Sequence, residues 1–543
     1  MLTAHPLRTL FVVLVALCAF SGAHAFAAPQ SDPVADFKKY FKEYSREYQK
    51  AGKDDKERRA AVVTIRETVL SLKGIESAEV VDAILPTLKL EEPDIQSGVV
   101  TVLSSFKSEP PIARLVEVMA TEKHEPTLVA CLQAFQAAKY KTSGAALAKL
   151  LASKSWEVRR ASVQALAASG EADAPKWIVT ACKDEEPAVR FTAMDALAAL
   201  KSKLVLPFAI NALSDPIWQV RASAIRALSM VRAVEAIDPL IRRLEVEKGR
   251  LTPDIVEALS RHLGREFGND AKAWRAYWDN LKDGYILMSE EQVRELRKGL
   301  GPRTGADADG RNKSGSGDDD HETKAVSYHD ITTPSISIIF VIDVSGSMEN
   351  MVVEKDRFVD GNYPSMMRID ICKTELARTI DRLEPNVRFN ILSFATAVKP
   401  WKKDLVDASP ANKLAARDWV LRLEAIGGNS KDDLARVGLT GAAGLDGGQT
   451  NTFGALMAAL GVPERGALVD ATYAVKVDTV FFLSDGRPST GEYVDTDDIL
   501  REVLRANELR KIVLHTIAIG EFQKDFMKAL AEQNGGIFVD LGR

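Results

Sequence analysis

The stretch FVIDVSGSMEN, residues 340–350, runs apolar side chains straight into Asp343 and then sets Ser345 and Ser347 on alternate positions. A β-branched, aromatic run of this length reads as a buried strand. An acid and two hydroxyls at its end are costly to bury without partners. A hard divalent cation, which takes carboxylate, hydroxyl and water oxygens, would satisfy them together.

Downstream of this run, strand and helix patterns alternate. VRFNILSF, DTVFFLSDG and KIVLHTIAIG are further apolar stretches of strand length, separated by helical spacing over Arg368–Leu383, Pro410–Leu423, Thr452–Leu460, Asp497–Asn507 and Phe522–Gln533. Continuous apolar strands joined by helical crossovers imply a mostly parallel sheet covered on both faces. Ligands of such sheets bind beyond the carboxyl ends of the strands, where the winding reverses. Two strands end in acids, at Asp343 and at Asp485 in the SDG run. If they are neighbours, their charges repel and each raises the other's pKa unless a cation intervenes. GGQTNTFGAL adds Gly447, Gly448 and the hydroxyl of Thr450 ahead of a helix. Ser430, in AIGGNSKDD, is a rival to Thr450.

In order along the chain, Asp343-x-Ser345-x-Ser347, then a threonine after a glycine pair, then Asp485 in SDG, resembles the von Willebrand factor A domain and its metal-ion-dependent adhesion site. The resemblance covers residues 334–543. It implies a doubly wound, Rossmann-like α/β domain in which Ser345, Ser347 and Thr450 ligate a metal through hydroxyls. Asp343 and Asp485 would lie close by, acting through bound water. One coordination position would be left for a carboxylate, an exposed Asp or Glu of a protein partner. Magnesium is the first choice of metal, with manganese or calcium also suited to an oxygen shell. The segment between Ser347 and Arg368 is longer than a minimal domain needs; Arg357, Phe358 and Tyr363 are expected either to contact a partner or to belong to a plain surface loop.

The upstream half is helical in pattern, and it repeats. WEVRRASVQALAASG, PAVRFTAMDALAAL and WQVRASAIRALSM align without gaps, placing Val158, Val189 and Val220, and likewise Arg159, Arg190 and Arg221, at equivalent positions. A fixed period near 30 residues with two helices per unit means a solenoid, and the pattern resembles HEAT repeats. The arginines could form a ligand-binding row, or could bond the inter-helix turns and align neighbouring units. Phe267, Trp274, Tyr277 and Trp278 read as a cap over the last unit. The expected fold class is therefore multidomain, an all-α HEAT-like solenoid followed by the α/β domain. Its divisions are a signal peptide at 1–25, an N-terminal helix at 31–53, repeats with their cap at 54–285, a flexible linker at 286–333 and the A domain at 334–543.

Arg8, the apolar run Leu10–Phe20 and the small residues ending at Ala25 suggest an export signal, too short to span a bilayer. The expected location is periplasmic, cell-surface or extracellular, with no transmembrane segment after cleavage. Cys131, Cys182 and Cys372 are scattered and read as buried free thiols. A net charge of −5 over 543 residues argues against a nucleic-acid binder. No nucleophile elbow, zinc-protease motif or phosphate loop is present, and His515 lies inside an apolar run. The expectation is a non-enzymatic binding protein with the repeats as a second protein-interaction surface. The alternatives are a metal-dependent hydrolase or phosphotransfer enzyme at the same site, or a structural solenoid with an inactive A domain.

Overall fold

The computed structural model describes residues 32–52, 55–140, 144–298, 326–329, 331–426, 448–462, 475–520 and 524–541. The expected signal segment, Ser430, Gly447 and the side chain of Arg357 lie outside the described residues. The chain forms two compact units that meet in sequence at Leu115 and Val116.

In the first unit, helix Pro33–Ala51 opens as the Asp-Pro pair predicts. Asp32 accepts a hydrogen bond from the Val34 amide at 3.0 Å, and proline takes the first turn, where no amide is needed. Val34 and Phe37 are buried, and Phe37 stacks on Phe41 at 5.9 Å. Tyr48 donates to Glu92, which also receives Arg58 at 2.6 Å.

The second unit contains the aligned repeats. Their equivalent helices are α1 (Trp156–Ala168), α2 (Pro187–Ala199), α3 (Trp218–Met230) and α4 (Leu251–Leu263). The repeated valines are fully buried. The repeated arginines act within the fold. Arg159 donates to the carbonyls of Ser153 and Lys154 and forks onto Asp184 of the next unit at 2.7 Å. Arg190 repeats this with the Asp184 and Glu185 carbonyls and the Asp215 carboxylate, and Arg221 with the Asp215 and Pro216 carbonyls and Glu247. One guanidinium thus closes its own turn and ties it to the following one. Asp184 and Asp215 also each accept an amide two residues on. Helix α5 (Ala271–Leu281) buries Trp274 and Trp278, with Phe267 edge-on to Trp274 at 4.9 Å, which is the expected aromatic cap.

The span 286–333, expected to be linker, carries structure at both ends. Helix α6 (Glu290–Lys298) sends Glu290 to Arg232 and Arg261, and strands β1 (Val326–Tyr328) and β2 (Ile331–Thr333) form an antiparallel hairpin. The hairpin buries Tyr328 edge-on against Phe340 and Phe481. Its few apolar residues were too short a run to read as strand beside the polar tether.

Beyond the hairpin come β3 (Ser337–Asp343), α7 (Arg368–Arg382), β4 (Arg388–Phe394), β5 (Val398–Pro400), β6 (Val406–Asp407), α8 (Pro410–Leu421), α9 (Thr452–Ala459), β7 (Thr479–Ser484), α10 (Thr496–Arg510), β8 (Val513–Ala518), α11 (Lys524–Gln533) and β9 (Phe538–Asp540). The sheet order is β5-β4-β3-β7-β8-β9. Strands β4, β3, β7, β8 and β9 run parallel, while β5 and β6 pair antiparallel with β4. From β3 the winding goes first to β4 and then back across to β7, so the switch point lies at β3. Alternate residues of β3 enter opposite cores: Ile338, Phe340 and Ile342 meet α7 and α8, while Ile339 and Val341 meet α9, α10 and α11. Burial on both faces explains why the strands read as continuous apolar runs.

The repeats hold this sheet by its amino edge. Lys511, two residues before β8, pairs with Asp195 at 2.8 Å and sits over the Phe191 ring. Glu508, at the end of α10, receives Arg160 and Gln164, each at 2.6 Å. Trp218 donates its indole N–H to the Val475 carbonyl, ahead of β7. Gly249, at φ +84°, lies so close to Ile336, ahead of β3, that a Cβ there would sit 3.1 Å from the isoleucine. A cavity of about 810 Å³, lined by residues of the repeats and by Leu504, Asn507, Glu508 and Lys511, remains between the repeats and this edge.

Candidate metal centre

Strands β3 and β7 are direct neighbours, with Ile342 opposite Leu483. Asp343 and Asp485 therefore emerge side by side at the carboxyl edge, both buried. At Asp343 the chain turns. The Asp343 carboxylate accepts the Ser345 amide at 2.8 Å through Oδ1 and the Ser484 hydroxyl at 2.6 Å through Oδ2. The Val344 amide still donates to Phe394 O of β4 and the Ile426 amide donates to Val344 O, each at 2.8 Å, so the motif is anchored from both sides. Residues Gly346–Glu349 then form a single 3₁₀ turn. That turn brings Ser347 Oγ within 3.2 Å of Ser345 Oγ and lets it donate to Asp485 Oδ1 at 2.7 Å.

Thr450 comes from the separate segment before α9. Its amide donates to Ser489 Oγ at 2.9 Å, its carbonyl accepts the Ser489 amide, and the next amide, of Asn451, donates to Ala395 O. Asn451 caps α9 through the Gly454 amide at 2.8 Å. The Thr450 and Ser347 hydroxyls both border Gly486: a Cβ added there would lie 3.2 Å from Thr450 Oγ1 and 3.5 Å from Ser347 Oγ. Glycine in SDG thus leaves space on which two hydroxyls converge, next to two carboxylates. All five predicted positions are together; the rival Ser430 is outside the described residues.

Burial, reinforced by the neighbouring Asp485, pushes the Asp343 carboxyl upward from the ordinary carboxylate range, against the hydrogen bonds from Ser484 and Ser345. Two buried carboxylates on neighbouring strand ends repel, and the one guanidinium that reaches Asp485 offsets only one of the two charges. The donor set is all oxygen and mostly neutral, which suits a small hard cation. Among the described residues no trio of His, Cys, Asp and Glu side chains is placed to hold a metal, so a cation here would need the hydroxyls as well.

Two neighbours were not read from the sequence. Ser484 precedes Asp485 in the quoted motif, and its register opposite the end of β3 assigns it to Asp343. Arg368, the first residue of α7, donates from Nη1 to Asp485 Oδ2 at 2.6 Å. No local pattern links it to a residue 117 positions away.

The segment after Ser347 departs from expectation. Phe358 is buried against Tyr363, and the Tyr363 hydroxyl donates to Glu375 while its ring carries Arg378. These aromatics anchor the loop from inside, so the contact role expected of Phe358 does not fit its position. The exposed apolar groups are instead Met351, Val353 and Val359, at 57%, 60% and 62% exposure. His515 is a core residue: burial holds it down at about 4, it stacks on Phe481, and its Nδ1 accepts the Ile537 amide.

Comparison with known proteins agrees with both halves. A family model for the von Willebrand factor type A domain matches residues 359–438 and 442–540, and one for HEAT repeats matches 144–208 and 176–260. The first match opens beyond Ser347, leaving the Asp343–Ser347 motif outside it. Inter-alpha-trypsin inhibitor heavy chain H1 of Mesocricetus auratus is 28% identical over 208 residues, which are 38% of this chain and 18% of the relative. Heavy chain H4 of Homo sapiens is 26% identical over the same shares. The chain therefore spans under a fifth of the length of these relatives. A solved von Willebrand factor type A structure from Catenulispora acidiphila, 15% identical, covers 38% of this chain and 39% of that one at TM-score 0.26. The chain carries HEAT repeats followed by a von Willebrand factor A-like α/β domain.

Proposed function

We propose that this is an exported binding protein whose sheet edge holds a divalent cation, magnesium first, and through it captures an acidic side chain of a protein partner. Ser345, Ser347 and Thr450 would hold the ion by their hydroxyls, with Asp343 and Asp485 beside it. The observation that carries this reading is the convergence of the Ser347 and Thr450 hydroxyls over Gly486, next to the buried acid pair. When bound, the cation supplies a Lewis-acidic position for an external carboxylate. The chain's own contribution is to fix the oxygens: the Asp343 turn orients Ser345, the 3₁₀ turn orients Ser347, and Ser489 pins the Thr450 backbone.

The matched relatives, named as inhibitor heavy chains, support a role in protein interaction rather than turnover. Export rests on the N-terminal sequence, and no described helix is long and apolar enough to cross a membrane. Met351, Val353 and Val359 would give the partner an apolar rim beside the ion. Since the contacts from Arg160, Gln164, Asp195, Trp218 and Gly249 fall at the opposite edge, the solenoid serves first as a mount.

The test is calorimetric titration of the purified chain with Mg²⁺ and Mn²⁺, together with capture of partners from the exported fraction with and without chelator. Asp343→Ala should abolish metal uptake and chelator-sensitive capture while the protein stays folded. Wild-type protein that takes up neither ion at millimolar concentration would end the proposal. Metal-dependent turnover of a phosphoester, lost in the same variant, would favour an enzyme instead.

A further inference from the structure

Arg368 has no place in the ligand set, yet it is joined to it. Its side chain is 9% exposed and that of Asp485 is 0% exposed, with 2.6 Å between Nη1 and Oδ2. The guanidinium is held by Asp485 and the residue's backbone by the loop. The Arg368 amide starts α7 by donating to Asn350 O, which ties the arginine to the end of the Ser347 turn. Gly520, just past β8, makes room: a Cβ there would lie 3.3 Å from Nη1, 3.4 Å from Cζ and 3.0 Å from Asp485 O. The buried Nε has no hydrogen-bond partner among the described residues, a cost that an aliphatic side chain would avoid.

The surrounding charges leave a simple sum. Asp370 is paired with Lys373 and bonded to Ser365, so that pair is neutral. The buried Cys372 thiol is pushed well up by burial and by both acids, which keeps it uncharged. Arg487 is exposed to solvent, where its field is screened. With both acids ionised, as a bound cation requires of them, the buried charges are two carboxylates and one guanidinium, net minus one. A dication turns the site to plus one, and a single carboxylate returns it to neutral. With an uncharged residue at 368 the sequence would be minus two, zero, minus one: a tighter grip on the metal and no electrostatic demand for an acid.

Building on the metal reading above, we propose that Arg368 is a built-in counter-cation that loosens the site's hold on its metal and in exchange couples metal binding to capture of one carboxylate. At short range in a buried site, one unit charge is worth more than a factor of ten in affinity. The arginine thereby makes the site conditional. Metal and partner's acid bind weakly apart and strongly together, because each relieves the charge that the other leaves.

The experiment follows free Mn²⁺ by electron paramagnetic resonance in titrations of the full chain, without and with acetate as the carboxylate probe. Wild type should bind Mn²⁺ more tightly when acetate is present. Arg368→Met should bind Mn²⁺ at least about tenfold more tightly in the absence of acetate, and should lose the acetate effect. Arg368→Lys, which keeps the charge, should stay near wild type in both respects. Arg368→Gln supplies a second neutral variant should the methionine protein fail to fold, and thermal melting confirms that the proteins compared are native. A folded neutral variant with unchanged or weaker Mn²⁺ affinity, or with the acetate effect intact, overturns the proposal. Absence of Mn²⁺ uptake by wild type and variants alike overturns the parent metal reading and this one with it, so the two failures are told apart.

Discussion

Replacing Gly486 by alanine is the most direct probe of the hydroxyl geometry. The new methyl would stand 3.2 Å from Thr450 Oγ1 and 3.5 Å from Ser347 Oγ. The first distance is tighter than ordinary contact, so the threonine hydroxyl must retreat by about 0.3 Å, while the second needs little change. Gly486 is not among the positive-φ glycines, so alanine brings no backbone strain, and the folded state should lose less than about 1 kcal/mol. Magnesium is far less forgiving, because it requires near-ideal octahedral geometry at about 2.1 Å from oxygen. Displacing one ligand by about 0.3 Å belongs with changes that cost roughly tenfold to a hundredfold in metal affinity, about 1.4–2.7 kcal/mol. Calcium tolerates longer and more variable bonds, so its affinity should fall less. Calorimetric titration with each ion, alongside a thermal melt, reads all three quantities. Wild-type magnesium affinity in a stably folded Gly486→Ala protein would refute the assignment of Thr450 as a ligand.

Other expectations concern the scaffold. Arg159→Ala removes a buried fork and leaves Asp184 unpaired, which should cost about 3–5 kcal/mol in urea denaturation of the repeats; a loss below about 1 kcal/mol would show that the fork does not hold neighbouring units together. Lys511→Glu sets like charges face to face with Asp195 and should cost about 2 kcal/mol or more of docking. Small-angle scattering should then show a larger radius of gyration, reversed by adding Asp195→Lys, with Mn²⁺ affinity unchanged; an unaltered scattering curve would contradict the join described here. His262 is held from its ordinary 6.5 down to about 4 by burial, with Arg232 and Arg261 adding to the effect and the Ala258 carbonyl and Glu290 opposing it. The unfolded chain therefore takes up a proton that the native state refuses, and stability falls as pH drops through 6.5 toward 4. Between pH 7.5 and 5 the loss should be about 2 kcal/mol. His262→Gln should remove that slope relative to wild type, and parallel pH profiles of the two proteins would show that His262 is not its source.

Much of the fold was legible because its signals are local or periodic. An acid ending an apolar strand is visible in a dozen residues, and register then does the rest: once β3 and β7 pair, Asp343 and Asp485 must share an edge. The repeats announced themselves through a fixed interval, and the alternative in which the arginines bond inter-helix turns proved right because each is tied to its own turn by two carbonyls. What escaped depends on distant contacts. Nothing near Arg368 marks it as the partner of Asp485, and nothing near Lys511 marks its partner 316 residues earlier. The loop after Ser347 inverted the usual reading of its residues. Its aromatics turned inward because Glu375 and Arg378 wait for Tyr363, which left aliphatic side chains outside. The edge strands β5, β6 and β9 were too short to stand out from loop, since each is completed only by pairing with β4 or β8.

The grip of the repeats on the amino edge has a mechanical consequence. A partner pulling at Asp343 and Asp485 loads the domain along β3 and β7, while Lys511, Val475 and Ile336 resist at the far end, roughly 20 Å away for strands of this length. Such tension runs along each strand from its loaded end to its own anchor, so the ladder between β3 and β7 is not peeled open rung by rung. If the proposed site captures a partner, the domain would work as a hook fastened at its shank, loaded along its own strands.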